Sequence, residues 1–285
     1  MSKVIGIYHK DCTDGTTAAA VVLKKFPQAL LFPLAHSYKK EDLEPILDLI
    51  DHDTICYTVD CGLGVKELLE KGVKVTTLDH HISVKENLEA IAHENKDYTF
   101  VFDNDKSGAT LVWSYFFPDQ RQPELLKYVE DNDLWRQRYG GNTIDVVNYI
   151  SIFRNDPETV LKLMESDLSL IKSKGEIISQ YTDRQITDQM SFQPIYIKIN
   201  ERMVPILNLT AYQSVIAHKF SEKLDRAVGF FFITGDTVRL SFRSVDHQIP
   251  TALDLASILG GGGHKNAAGG ILIPLKEFLK MIVLQ

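Results

Sequence analysis

The chain has 285 residues, 44% of them apolar and 24% charged, with a formal net charge of −7 at neutral pH. This is the composition of a globular protein, long enough for two ordinary domains or one large one. The acidic balance argues against a surface that coats nucleic acid, though not against a small basic pocket for a few phosphates. Three cysteines, Cys12, Cys56 and Cys61, are too few for a disulfide framework and fit a reducing compartment. No apolar run approaches the roughly eighteen residues of a membrane span. The opening residues turn polar too soon for a signal peptide. The expectation is a soluble, cytoplasmic chain.

In chain order, Val4-Ile5-Gly6-Ile7-Tyr8 reads as a short apolar strand. It runs into the loop His9-Lys10-Asp11-Cys12-Thr13-Asp14-Gly15 and then a helix over residues 16–26, an opening βα unit of a parallel sheet. Residues 29–34 form the second expected strand. A helix follows over 41–51, with apolar positions at Leu43, Ile46, Leu47 and Ile50. The third strand, 54–59, ends in Asp60-Cys61-Gly62, and residues 65–71 form a short helix. The β-branched run Val73-Lys74-Val75-Thr76-Thr77 is a buried strand ending in Leu78-Asp79-His80-His81. Residues 98–102 are a further strand, and Ser107 caps a helix over 109–117. Another helix opens at Pro123 and ends in Val129-Glu130-Asp131-Asn132-Asp133-Leu134-Trp135. Acidic residues at a helix C-terminus oppose the macrodipole, so this cluster wants a compensating cation.

Residues 156–190 read as polar-rich helices connecting two domains. The composition shifts at Phe192, after which residues 195–199 and 203–207 form a hairpin. Helices over 215–224 and 252–259, and strands over 227–233, 237–244 and 271–273, complete an α+β domain. The expected fold is therefore α/β: a parallel-sheet N-terminal domain over 1–150 with helices on both faces, a helical connector over 151–191, and a smaller α+β domain over 192–285.

Three strand ends then carry chemistry: His9 with Asp14, Asp60, and Asp79-His80-His81. In open α/β sheets the carboxyl ends of the strands are where ligands collect. Carboxylates and imidazoles gathered there are costly to desolvate unless a cation binds them, and both ligate Mn²⁺, Zn²⁺ or Fe²⁺. In the second domain Gly260-Gly261-Gly262-Gly263 is expensive to order, and a helix and strand flank it, unlike a linker. The functional reading is backbone brought against a ligand, its consecutive amides forming an anion nest. His264, Lys265 and Asn266 add donors, and Arg243 can fork onto a phosphate. His36, His52, His93, His218 and His247 receive no role, and Trp113 and Trp135 are expected in the core or at its edge.

Together these motifs resemble the DHH superfamily of phosphoesterases with a C-terminal DHHA1 domain. Leu78-Asp79-His80-His81 is the naming run; Asp60-Cys61-Gly62, the Asp131 cluster and Gly260 to Gly269 fall in the family's order over nearly the whole chain. Within the superfamily the resemblance is to the oligoribonuclease (NrnB-like) or cyclic-nucleotide phosphodiesterase branch. It implies two divalent cations, Mn²⁺ foremost, with Mg²⁺, Co²⁺ and Zn²⁺ also admissible. The first domain would hold them and the DHHA1 domain would grip the substrate. Metal roles fall to His9, Asp14, Asp60 as the bridge, His80 and Asp131, with Asp133 a rival to Asp131. His81 would contact the scissile phosphate, and Asp79 would orient a histidine. The family's first motif is Asp-x-Asp-Gly, whereas this chain has Cys12-Thr13-Asp14-Gly15. Either Asp11 shifts in as a ligand, or Cys12 ligates and favours a softer metal such as Zn²⁺ or Fe²⁺, or one cation is held more weakly.

The implied activity is metal-dependent hydrolysis of short oligonucleotides or small, including cyclic, nucleotides. A hydroxide shared by the cations would attack phosphorus in line. His81 would donate a proton, with Asp60 and Asp79 completing the catalytic set. Arg243, Gly262, Gly263, His264 and Asn266 would hold the substrate. Rival readings are a polyphosphatase, a single-strand exonuclease, or a nucleotide-binding protein whose catalysis Cys12 has weakened. Neither a membrane nor a long duplex is an expected partner; a homodimer is allowed.

Overall fold

In the computed structural model, which describes residues 2–283, strands and helices alternate through the first part of the chain. Strands β1 (Val4–His9), β2 (Leu30–Leu34), β3 (Ile55–Val59), β4 (Lys74–Asp79) and β5 (Tyr98–Phe102) form a five-stranded sheet in the order β2-β1-β3-β4-β5, every neighbouring pair parallel. Parallel neighbours need crossovers, and α1 (Thr13–Lys25), α2 (Lys40–Leu47), α3 (Val65–Glu70) and α4 (Ile82–Glu94) supply them.

The two faces of the sheet follow the strand's period of two. From β1, Val4 and Tyr8 join a core with α1, while Ile5 and Ile7 join an opposite core with Leu43, Ile46, Leu68 and Leu88 from α2, α3 and α4. Helix α1 is enclosed on all sides: Ala18, Ala19, Ala20, Val21 and Val22 are fully buried. Its alanines let α5 (Gly108–Phe116) and α8 (Pro157–Met164) pack close behind it. A helix apolar all round is a buried one.

Two helices of this unit lie outside the expected set, α4 and α7 (Gly141–Ile150). The 13-residue α4 buries only Leu88 fully, so its apolar stripe is thin. Helix α7 is rich in Thr, Ile, Val and Asn, which are indifferent helix formers, and tertiary packing of Thr143, Val146 and Ile150 decides it. Between them α6 spans Glu124–Asp133.

The chain divides into units Met1–Gln180 and Tyr181–Gln285. Val160, Met164 and Ile171, from the segment expected as a helical connector, bury in the first unit's core. The long helix α9 (Leu168–Gln189) runs through the division.

The second unit contains β6 (Ile195–Ile199), β7 (Arg202–Asn208), α10 (Gln213–Leu224), β8 (Val228–Thr234), β9 (Thr237–Arg243), α11 (Ala252–Ile258), β10 (Gly262–His264), β11 (Ala267–Pro274), α12 (Leu275–Met281) and β12 (Ile282–Val283). They build a mixed seven-stranded sheet, β10-β11-β9-β8-β7-β6-β12, in which only the β7–β8 pair is parallel. The expected hairpin is β6–β7, turned at Asn200 with φ 51°.

The glycine run is not the free loop of consecutive amides that the sequence suggests. Gly262, Gly263 and His264 are an edge strand, paired antiparallel with Gly269, Ala268 and Ala267. Close packing explains Gly261, Gly263 and the facing Gly269. A side chain at Gly261 would strike the Gly269 carbonyl, one at Gly269 would strike Ser241, and Gly263, with φ 137°, has the Ala267 carbonyl 2.6 Å from where its Cβ would sit. Gly262 alone of that paired stretch faces open space. Among the described residues, no helix is long and apolar enough to cross a membrane.

Candidate metal centre at the rim of the first sheet

Register sets the site. Tyr8 pairs with Val59, and Val59 with Leu78, so the next residues along, His9, Asp60 and Asp79, stand in one row at the carboxyl ends of β1, β3 and β4. The order 2-1-3-4-5 reverses between β1 and β3, and that switch point is where such sheets bind ligands. Asp60 has φ 56°, a left-handed backbone that aspartate tolerates better than most residues. Its amide still bonds Leu78 O at 2.9 Å.

Around Asp60 three groups of donors converge, each with ligand atoms within 4.8 Å of one another: Asp14, His80 and Asp133; His9, Cys12 and Asp60; and Asp60, Asp79, His80 and His81. His80 Nε2 lies 3.1 Å from Asp60 Oδ1, 3.4 Å from Asp133 Oδ2 and 3.9 Å from Asp14 Oδ2. His9 Nδ1 is 3.7 Å from Asp60 Oδ2. Asp14 sits against the first turn of α5, accepting from Gly108 N at 2.5 Å and Ala109 N at 3.1 Å. A Cβ at Gly108 would lie 2.7 Å from Asp60 Oδ1 and 2.9 Å from Asp14 Oδ2, so only glycine admits both carboxylates. Behind them, Asp79 Oδ1 accepts the His80 and His81 amides at 2.7 and 3.1 Å and faces His81 Nδ1 at 2.7 Å.

The electrostatics are those of a site made for cations. Burial, then the charges of Asp60 and Asp133, push the Asp14 carboxyl well above the usual range. Burial and the Asp60 charge push Asp133 up to about 6. Burial would raise Asp60 too, but the hydrogen bond from His80 and the imidazole of His9 outweigh it and hold Asp60 low. His80 is raised because Asp60 and Asp133 overcome the opposing effect of burial. His81 is pushed up to about 9, chiefly by its bond to Asp79. Asp60 Oδ2 and Asp133 Oδ2 are buried without a hydrogen-bond partner. Buried anionic oxygens left unpaired cost several kcal/mol, roughly, unless a cation meets them. Carboxylate and imidazole donors in this number fit a pair of divalent ions.

No family model matches the sequence. An uncharacterized protein of Acanthamoeba polyphaga mimivirus is 24% identical over 92% of this chain, which spans 66% of that relative's length. Among solved structures the chain is similar to RecJ of Thermus thermophilus in complex with Mn²⁺, at a TM-score of 0.55 and 17% identity, covering 98% of this chain and 51% of that one. It is similar also to PggH, a pGpG-specific phosphodiesterase of Vibrio cholerae, at a TM-score of 0.55 and 13% identity, covering 98% of this chain and 95% of that one. Over 98% of its length the chain shares the fold of these structures, the α/β arrangement expected from the resemblance to the DHH superfamily. Asp79 ends β4, and His80 and His81 follow it.

Within the first unit, three residues depart from the expected placement. Asp131 is not brought to the cluster: its carboxylate accepts from Arg138 N at 2.8 Å, Tyr139 N at 3.4 Å and Thr143 Oγ1 at 2.5 Å, anchoring the loop that leads into α7. Asp133, two residues on, faces His80 instead. Asp11 is exposed, has φ 58°, and bonds Asn155 Nδ2 at 2.6 Å. Trp135, expected near the core, is 79% exposed. Sequence reasoning also passed over His36, whose ring centroid lies 4.4 Å from that of His9 and 6.4 Å from that of His81. The signal was its position just past β2, the strand that pairs with β1. In the second unit, Arg243 donates to Phe242 O at 2.8 Å and Ser214 Oγ at 2.7 Å and lies over the Phe230 ring. Asn266 donates to Asp246 at 2.6 Å, and His264 is exposed on β10.

Proposed function

We propose that the chain is a metal-dependent phosphodiesterase acting on short oligonucleotides or small nucleotides. The observation that carries this reading is the convergence of buried Asp14 and Asp60 with the partly buried His9, His80 and Asp133, leaving two carboxylate oxygens that no donor among the described residues satisfies. Those five residues would hold a pair of divalent cations, which when bound supply Lewis-acid charge for a phosphoryl group and acidify water. Asp79 holds the ring of His81 by Nδ1, leaving Nε2 to donate a hydrogen bond or a proton to a phosphoryl oxygen or the departing oxygen. Gly15 and Gly108 keep the space around Asp60 and Asp14 free of side chains. Arg243, Gly262, Gly263, His264 and Asn266 are the candidates for holding a phosphate or base; Arg243 would have to exchange its Ser214 contact for a phosphate oxygen.

The preference for a small substrate rests on two points. The net charge is −7. And among the described residues no row of exposed aromatics flanks β10 to stack a long strand.

The test is a substrate panel with Mn²⁺: pGpG, a short RNA, a long single-stranded DNA and polyphosphate. Mononucleotides released fastest from the dinucleotide, with loss of turnover in Asp60→Asn and His80→Ala, are the expected result. A protein that binds Mn²⁺ and cleaves none of the phosphodiesters would overturn the reading.

A further inference from the structure

Two of the donor groups around Asp60 are chemically unlike. Asp14, His80 and Asp133 offer two carboxylates and an imidazole; His9, Cys12 and Asp60 offer an imidazole, a thiol and a carboxylate. Cys12 is the N-cap of α1, with φ −105° and ψ 133°, and its Sγ accepts from Gly15 N at 3.5 Å. That cap fixes the sulfur at the strand end beside His9 and Asp60. Asp60 Oδ2 belongs to a side chain 1% exposed, has no hydrogen-bond partner among the described residues, and is 3.7 Å from His9 Nδ1. While His80 meets Oδ1, this second oxygen is buried with no donor on it. The competing oxygen donor is engaged elsewhere: Asp11 donates its amide to Asn155 Oδ1 at 2.9 Å and accepts from Asn155 Nδ2 at 2.6 Å.

We propose that Cys12 Sγ is itself a metal ligand, so that the chain holds a thiophilic site of His9, Cys12 and Asp60 beside an oxygen-rich site of Asp14, His80 and Asp133. This rests on the reading that the rim binds cations. Thiolate is a soft ligand and selects Zn²⁺, Co²⁺ or Fe²⁺ over Mn²⁺ or Mg²⁺, whereas carboxylates with an imidazole accept the harder ions. Binding breaks the S–H bond, forms an S–metal bond and delivers the proton to solvent. The site with Cys12 would then favour a soft ion and the site without it would accept a hard one.

The experiment is Co²⁺ titration of the metal-free, reduced protein in wild type, Cys12→Ser and Cys12→Asp. Wild type should develop a near-ultraviolet sulfur-to-cobalt charge-transfer band together with visible d–d bands. Both variants should keep visible bands from the oxygen-rich site and lose the near-ultraviolet one. Preference for Zn²⁺ over Mn²⁺, measured by competition, should fall about tenfold or more in Cys12→Asp. Wild-type Co²⁺ binding with no charge-transfer band overturns the thiolate assignment and leaves the cation reading standing. A band that persists in both variants does the same, since the sulfur would then be Cys61. Absence of Co²⁺, Zn²⁺ and Mn²⁺ binding overturns both.

Discussion

Replacing Asp133 with Asn should move stability in opposite directions in the metal-free and the metal-loaded protein. The Asp133 carboxyl rises from an ordinary 3.8 to about 6 through burial and the nearby Asp60 charge. Its ionised form is therefore the costly one. Without a cation, the stability tied to its proton is fully present below about pH 4 and is lost as pH rises through about 6. The rise corresponds to about 3 kcal/mol at about pH 8. Asparagine keeps the shape and removes the charge. The EDTA-treated variant should accordingly unfold later than wild type near pH 8, by roughly 6–10 °C for a unit of this size, and lose that advantage near pH 4. With Mn²⁺ the order reverses, because wild type gains a ligand-bound state that the variant binds weakly. Thermal unfolding of the first unit, followed with EDTA or Mn²⁺ across this pH range, reads both effects. An advantage that does not grow with pH, or Mn²⁺ protection as large in the variant as in wild type, would refute the reasoning.

Gly108→Ala should cost about tenfold or more in Mn²⁺ affinity by calorimetry with circular dichroism unchanged, because the new methyl falls within 3 Å of two carboxylate oxygens; undiminished affinity would contradict that packing. Asp131→Asn should destabilise the first unit by about 2 kcal/mol in denaturant through its Arg138, Tyr139 and Thr143 contacts, with Mn²⁺ stoichiometry intact; a lost ion would restore Asp131 as a ligand. In the metal-free protein the His81 imidazole should titrate near 9 by NMR and fall toward the ordinary range in Asp79→Asn. The folded pKa is raised, so this pair's contribution to stability is full below about pH 6.5 and lost as pH rises through about 9. A His81 that titrates unchanged in Asp79→Asn would show that the pair is not what holds it.

Much of the first sheet is legible because β1, β3 and β4 are short runs with β-branched residues that end at or just before a polar residue, and parallel pairing aligns those ends. His9, Asp60 and Asp79 could therefore be grouped before any register was known. Asp133 could not be preferred to Asp131 in the same way. Positions two apart on a helix point about 200° from each other, and only the packing of α6 decides which meets His80 and which meets the loop before α7. His36 has no local signature either, since its neighbours His9 and His81 come from other strands. Nothing local marks Gly108 either; what demands glycine there is the pair of carboxylates just after β3 and in the first turn of α1. The glycine run misleads for a related reason. A nest and a tight hairpin have the same local sequence, and the choice rests on Ser241 of β9 and the carbonyls of β11. Trp135 has an apolar side chain, but its φ of 51° in a loop held from Asp131 leaves it in solvent.

Anomalous diffraction at the manganese edge, from crystals of the protein soaked in excess Mn²⁺, tests the central claim most directly. Two peaks flanking Asp60 are predicted, one among Asp14, His80 and Asp133 and one beside His9. No peak in contact with Asp60, or manganese bound only at some other cluster of side chains, would contradict it.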